Sequence, residues 1–523
     1  MPTTPGRTRI VYADGERTRF TTAHWWCLLA ITAVALALRL IGVREWSLWI
    51  DEAHTWRDAT QPLAGPDGFL GSGRAEYPLA FLLLRGLLAL GLADTEAGLR
   101  APFVAIGTLT VPLVAICGRR LIGSWPAVFA AALLAVHPWH VFWSQSARGY
   151  AVLVLVAVIA VDRAFAYVRR DRVLDLAIAW LAIGVGALSH ATGGMLGLGF
   201  LLFLVARRKT LDAKRIVLVV VSSIVCLAAV LLTIKALDLF GGFMKSKGSP
   251  LPLHLVETTG FYFGPVQLLM AVVGLWLLGH FGGRDRALLL GSLLVATFGT
   301  LLVVGSMMAL VTARYAISVL PVVTWLAAFA ASHVASALAR APGLARAPRV
   351  AAAVLLPLLL TAAHAVPLVD YYRTQYGQRA RWREAADFLR TEAKGRAIRV
   401  WTINQPSMLY YLRPGQWTNT VPPQYARNQV VPLIEWMIWD GVDQEKKLVC
   451  KPGIDGHLAW HREQAEQQNA LFAIVVTLPE LEEKDYDKTV AATIQRECRV
   501  VLLLPCWVGP KDESIYVYMF REP

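Results

Sequence analysis

Six cysteines among 523 residues are too few and too scattered to form a disulfide framework. Cys27, Cys117 and Cys226 lie inside apolar runs, where a thiol packs as a small apolar group. No Cys/His spacing matches a structural zinc site. Acidic residues are scarce where the chain is most apolar: apart from Asp162, near one end of its run, the long apolar stretches are nearly free of them. A secondary transporter places charges near mid-bilayer and often breaks its spans there, so this scarcity argues against one. No internal repeat suggests inverted halves. No nucleic-acid-binding motif accompanies the net charge of +14. A small-residue cleavage site is also missing after the first apolar stretch, His24–Ile41, where Arg39, Arg44 and Glu45 stand instead. That stretch reads as an uncleaved anchor.

What the chain has in abundance is apolar length. It is 56% hydrophobic and 17% charged, with repeated runs long enough to cross a bilayer. Eleven spans are expected, at roughly 25–44, 100–118, 125–143, 150–168, 173–189, 191–206, 216–234, 263–280, 287–310, 315–338 and 350–368. With eleven crossings, the basic clusters at Arg119-Arg120, Arg169-Arg170, Arg207-Arg208-Lys209, Arg284 with Arg286, and Arg340 with Arg346 all fall on the side of the N-terminal tail. The positive-inside rule makes that side cytoplasmic. Tyr77–Leu92 is short for a span and carries Arg85, so it reads as an interfacial or re-entrant helix in a first external loop, 45–99.

Three regions follow: a cytoplasmic tail at 1–24, a transmembrane domain at 25–369, and a soluble extracytoplasmic α/β domain at 370–523. In the last, Trp382–Leu389 reads as a helix, and Ile398–Ile403, Phe472–Thr477, Val500–Leu504 and Ile515–Phe520 as short strands. The predicted fold is a polytopic α-helical membrane protein with this domain at its C-terminal end.

The first external loop opens with Trp49-Ile50-Asp51-Glu52-Ala53-His54. Two carboxylates beside a span are costly near hydrocarbon, and such groups usually face a watery cavity and serve a function. A solvated helix start favoured by the dipole is the plainer reading. On the same side lie Ser144-Gln145-Ser146-Ala147-Arg148-Gly149-Tyr150, Ser189-His190 and Arg314-Tyr315. Guanidinium forks suit phosphate, and a carboxylate can deprotonate an attacking hydroxyl. The combination suits transfer from a lipid phosphate.

Six elements in order carry a resemblance. They are Trp49-Ile50-Asp51-Glu52, Glu76-Tyr77-Pro78-Leu79, Leu99-Arg100-Ala101-Pro102 with Gly118-Arg119-Arg120-Leu121, Ser144 to Tyr150, Arg314-Tyr315 with Pro321, and Tyr371-Tyr372 with Trp382-Arg383. The chain resembles GT-C glycosyltransferases of the dolichyl-phosphate-mannose protein mannosyltransferase-like group, which includes the lipid A aminoarabinose transferases. The resemblance implies a GT-C fold and inverting transfer of a sugar from a polyprenyl-phosphate donor to a lipid, glycan or protein acceptor at the external face of the cell membrane. By it, Asp51 is the general base, Glu52 the neighbour that tunes or positions it, and Arg148 and Arg314 hold donor phosphate. His54, Arg57, Tyr77, Tyr150 and His190 are weaker candidates for lining the site. Where the group often has Glu in the second external loop this chain has Ser146, which favours metal-independent transfer over use of a divalent cation. A polytopic transporter or flippase of a lipid-linked or anionic substrate is the alternative from another class.

Overall fold

The computed structural model describes residues 19–63, 78–207, 212–236, 253–305, 311–340, 346–412, 429–432, 437–440, 447–450, 454–477, 481, 489–508 and 511–521. The chain opens with α1 (Thr22–Leu40), then two short helices, α2 (Ile50–Thr60) and α3 (Pro78–Ala89). The helical body continues through α4 (Glu96–Ile122), α5 (Ser124–Val136), α6 (Pro138–Ser144), α7 (Tyr150–Arg170), α8 (Val173–Ser189), α9 (Gly194–Ala206) and α10 (Ala213–Ala236). It closes with α11 (Leu253–Phe263), α12 (Pro265–Leu277), α13 (Arg284–Gly305), α14 (Leu320–Arg340) and α15 (Arg346–Arg373).

This is a multi-pass membrane protein. Among the described residues six helices are long and apolar enough to cross a bilayer, or up to eight if each of two bent pairs counts as one span. The expected spans at 173–189 and 191–206 fall on apolar helices shorter than eighteen residues. The expected span at 125–143 is broken between α5 and α6, which bend by 65°. Pro138 cannot donate a backbone hydrogen bond, so the helix stops and restarts. The break loosens the carbonyl of Ala135, and the buried Arg39 of α1 takes it at 3.2 Å while also binding His140 Nδ1 at 2.7 Å and Ser144 Oγ at 3.1 Å. A second bend, of 90°, falls between α11 and α12, at the start of the run expected at 263–280. Gly264 turns the chain there at φ +77°, a region open to glycine, and Pro265 starts the new helix.

Helix α3 is only twelve residues long and buries Phe81 and Leu84 while leaving Leu82 half exposed. Its Arg85 reaches the last turn of α2, donating to the carbonyls of Ala59 at 3.4 Å and Gln61 at 2.5 Å. A basic residue at a helix C-terminus is favoured by the dipole and satisfies carbonyls the helix leaves open.

The C-terminal domain is built on α16 (Trp382–Ala393), β1 (Ala397–Thr402), α17 (Gln405–Leu412), β2 (Gln429–Pro432), β3 (Met437–Asp440), β4 (Lys447–Cys450), α18 (Ile454–Gln467), β5 (Ala470–Thr477), α19 (Thr489–Glu497), β6 (Cys498–Leu504), β7 (Trp507–Val508), β8 (Lys511–Asp512) and β9 (Ile515–Phe520). Its main sheet runs β2-β1-β5-β9-β6, parallel across β2, β1 and β5 and antiparallel at β9 and β6. Continuous burial along β1 and β5 is what a parallel strand covered on both faces requires. The domain is not a separate lobe. Trp382, Leu389, Val400 and Ile515 join one continuous buried apolar cluster with the helical body, and α17 packs on α2 through Trp56 and Tyr410, whose rings lie 5.0 Å apart. This contact sets where the site can be.

Candidate active site

Helix α2 begins with Asp51 and Glu52 in its first turn, where the helix dipole favours negative charge. Successive residues are rotated by about 100°, so the two carboxylates cannot face the same way. Glu52 turns inward and is fully buried. Its Oε1 accepts from Arg100 Nε at 2.9 Å and from the Ala147 N–H at 2.9 Å. Its Oε2 accepts from Arg100 Nη2 at 2.8 Å and from the Trp49 N–H at 2.9 Å, with Arg379 Nε 3.5 Å away. Burial pushes this carboxyl upward, but Arg100, Arg379 and the Trp49 amide outweigh it and hold it at about 2, below the ordinary 4.5. Glu52 is an ionised brace between both loops and the C-terminal domain.

Asp51 turns the other way. Its side chain is 31% exposed and lies 3.7 Å from Arg148 Nη2. Arg148 is nearly buried, at 11% exposure, and its Nη1 donates to Thr55 Oγ1 at 3.0 Å. Thr55 sits one helical turn beyond Asp51, so it meets the same neighbour. The loop carrying Arg148 presses against the end of α8: a Cβ at position 149 would meet the Ser189 carbonyl oxygen at 2.3 Å. Only glycine fits there, and the close approach brings Arg148 beside the Ser189-His190 turn.

His190 is buried, with Nε2 2.9 Å from the Tyr150 hydroxyl and Nδ1 2.8 Å from Thr192 Oγ1. Burial and the charges of Arg148 and Arg314 push this imidazole well below its usual range, so it is neutral. The Thr192 N–H donates to Nδ1, which puts the ring proton on Nε2 and the phenol oxygen in the role of acceptor. Arg314 lies within electrostatic reach of Asp51 and Tyr150. It stacks 5.0 Å over the Tyr315 ring and donates from Nη2 to the Tyr315 hydroxyl at 3.0 Å. Its Nε is buried without a hydrogen-bond partner among the described residues.

The structure thus brings Asp51, Arg148, Arg314, Tyr150 and His190 to one place. His54 is half-buried on α2, and Arg57 pairs with its neighbour Asp58 at 2.7 Å. Tyr77 lies outside the described residues. Ser146 turns inward, its hydroxyl accepting from Arg379 Nη2 at 3.0 Å. Among the described residues no three His, Cys, Asp or Glu side chains group to hold a metal ion. Two arginines that brace the site have no role in the sequence reading. Arg100 had a signal, an ionisable residue opening an apolar run. Arg379 had none, standing in a stretch already rich in arginine.

Residues 75–232 match the family model described as dolichyl-phosphate-mannose-protein mannosyltransferase. No curated protein sequence matches the chain. Among solved structures, ArnT from Cupriavidus metallidurans in the apo state aligns over 95% of this chain and 98% of its own, at 14% identity and a TM-score of 0.55. The same protein bound to undecaprenyl phosphate aligns at a TM-score of 0.52 with 14% identity, over 95% and 98% of the two chains. The archaeal oligosaccharyltransferase AglB from Archaeoglobus fulgidus, in complex with an inhibitory peptide and a dolichol-phosphate, aligns over 96% of this chain and 74% of its own, at 12% identity and a TM-score of 0.54. The chain shares the fold of these solved structures over nearly its whole length, the C-terminal domain included.

Proposed function

We propose that this protein is a membrane glycosyltransferase that takes a sugar from a polyprenyl-phosphate donor and passes it to an acceptor at the membrane face carrying the C-terminal domain. The observation that carries this reading is the part-exposed Asp51 carboxylate set 3.7 Å from Arg148, with Arg314 in electrostatic reach. The fold supports it, since solved structures of that fold hold undecaprenyl phosphate and a dolichol-phosphate.

In this mechanism an acceptor hydroxyl attacks the anomeric carbon while Asp51 accepts its proton. The bond from that carbon to the phosphate oxygen breaks, and its electron pair leaves with polyprenyl phosphate. Arg148 and Arg314 stabilise the charge that grows on the departing phosphate. Attack opposite the leaving group inverts the anomeric configuration. A divalent cation fits this donor set poorly: among the described residues the Asp51 carboxylate lies beside Arg148 with Arg314 in electrostatic reach, and both oxygens of Glu52 are taken up by Arg100 and the Ala147 and Trp49 amides. Metal-independent transfer is the reading these residues favour.

Purified protein incubated with an isotope-labelled polyprenyl-phosphate sugar and membrane extract should move label covalently onto an acceptor. Uptake of the donor into vesicles with no covalent product would overturn the enzyme in favour of a transporter. Arg148→Ala and Arg314→Ala should each weaken donor binding about tenfold or more, because each removes a charge-assisted contact. Lysine should restore only part of it, lacking the bidentate fork. Normal donor affinity in both alanine variants would make them interfacial anchors.

Orientation rests on loop charge. In a background without native cysteines, Lys394→Cys should react with a membrane-impermeant thiol reagent added outside intact cells, while Arg170→Cys and Arg284→Cys should not. The reverse pattern would put the C-terminal domain in the cytoplasm.

A further inference from the structure

The six residues that lead into α2, Arg44 to Trp49, run without regular secondary structure from the last turn after α1. Such a segment leaves backbone groups that must find partners elsewhere. Within the helical body, Arg100 takes the carbonyls of Trp46 at 2.9 Å and Ser47 at 2.7 Å, and Glu52 the Trp49 N–H; the C-terminal domain takes three more backbone groups and adds side-chain contacts. Arg383 donates to the carbonyls of Arg44 at 2.9 Å and Glu45 at 2.8 Å. The Trp46 ring lies against Gly377, where a Cβ would come within 2.3 Å of it, and under the Arg379 guanidinium at 5.6 Å. The Ser47 hydroxyl donates to Glu384 at 3.1 Å and accepts from the Arg383 N–H at 3.0 Å. The Leu48 N–H donates to the Tyr411 hydroxyl at 2.6 Å, and the Trp49 indole to Glu513 at 3.0 Å.

Arg379 extends the same clasp to both loops of the site. Its Nη2 donates to the Gln145 carbonyl at 2.8 Å and to Ser146 Oγ, and its Nη1 to the Tyr371 hydroxyl at 3.0 Å, while its Nε faces Glu52. One fully buried guanidinium therefore touches the residue beside Asp51 and the loop that carries Arg148.

From this geometry we infer that the C-terminal domain sets the position of the catalytic helix, with Arg379 as the positioning residue that holds Asp51 and Arg148 at their working separation. The inference deepens the glycosyltransferase reading and rests on it for its kinetic consequence, but not for its structural one. Misplacement of reacting groups by about 1 Å can cost about 10²-fold in rate. Arg379→Gln and Tyr411→Phe should therefore lower kcat about tenfold or more, with the KM for donor changed less than twofold. Arg379→Lys should recover only part of the loss, because one ammonium cannot reach Glu52, Gln145 and Tyr371 together.

Hydrogen exchange on the full-length protein separates the two layers. Amides at 44–60 should exchange faster in Arg379→Gln and Tyr411→Phe than in the wild type, with those of α4 unchanged. Tyr411→Phe loses one hydroxyl and keeps its ring, so it tests the clasp even if Arg379→Gln does not fold. Unchanged exchange at 44–60 in Tyr411→Phe would overturn the inference whatever the activity. So would faster exchange there with an unaltered kcat. If the wild type transfers no sugar while exchange rises as expected, the clasp stands and the proposed activity falls.

Discussion

Asp51→Asn is expected to abolish sugar transfer, by at least about 10²-fold, while the protein folds normally and binds donor. The substitution keeps the shape of the side chain and removes its basicity. Fold is spared because Asp51 is part-exposed and its ion pair to Arg148 is long at 3.7 Å. Surface-type pairs of that kind contribute on the order of 1 kcal/mol or less. The measurement is single-turnover transfer from a labelled polyprenyl-phosphate sugar beside a thermal unfolding curve. A turnover near that of the wild type would remove Asp51 from the chemistry.

Glu52→Gln should show the opposite balance, a large loss of stability. The variant leaves Arg100 and Arg379 buried without their counter-charge, and breaking a buried pair in this way costs about 3–5 kcal/mol. The thermal midpoint should drop clearly below that of Asp51→Asn. The pair also carries a pH signature. Glu52 titrates at about 2 in the fold against an ordinary 4.5, so its contribution is complete above about pH 4.5 and is lost as pH falls from there towards about 2. Stability of the wild type should decline through that window, and the decline should be shallower in Glu52→Gln. A variant as stable as the wild type, with an unchanged acid profile, would show that Glu52 is not the brace its contacts describe.

The chemistry-bearing strings were legible because their signals are local. A carboxylate pair beside an apolar run, and arginines at the mouths of other runs, stand out from composition alone. Strand positions in the C-terminal domain were legible for the same reason: β1, β5, β6 and β9 fall on the apolar runs at Ile398, Phe472, Val500 and Ile515. Sequence reasoning did not show that Pro138 and Gly264 bend their helices by 65° and 90°. A proline or glycine in an apolar run is compatible with a straight span, a kink or a break, and packing selects among them. The expected span count is affected accordingly, since six helices, or eight with the bent pairs, meet the length and apolarity of a crossing among the described residues.

By itself, then, the sequence determined that this is a membrane protein, where its charged groups gather along the chain, and which short segment holds the paired carboxylates. Hydropathy and charge are properties of consecutive residues, and the bilayer acts on them segment by segment. The resemblance already assigned the base to Asp51 and a tuning or positioning part to Glu52; the physical difference between the two carboxylates comes from the folded structure alone, in which Glu52 is fully buried and Asp51 is part-exposed. Asp51 and Glu52 are chemically almost alike, and their roles differ because one meets open space beside Arg148 while the other meets Arg100, the Ala147 amide and Arg379. Those partners come from distant parts of the chain. Their effect on a carboxyl depends on distance and burial, which exist only once the chain has folded.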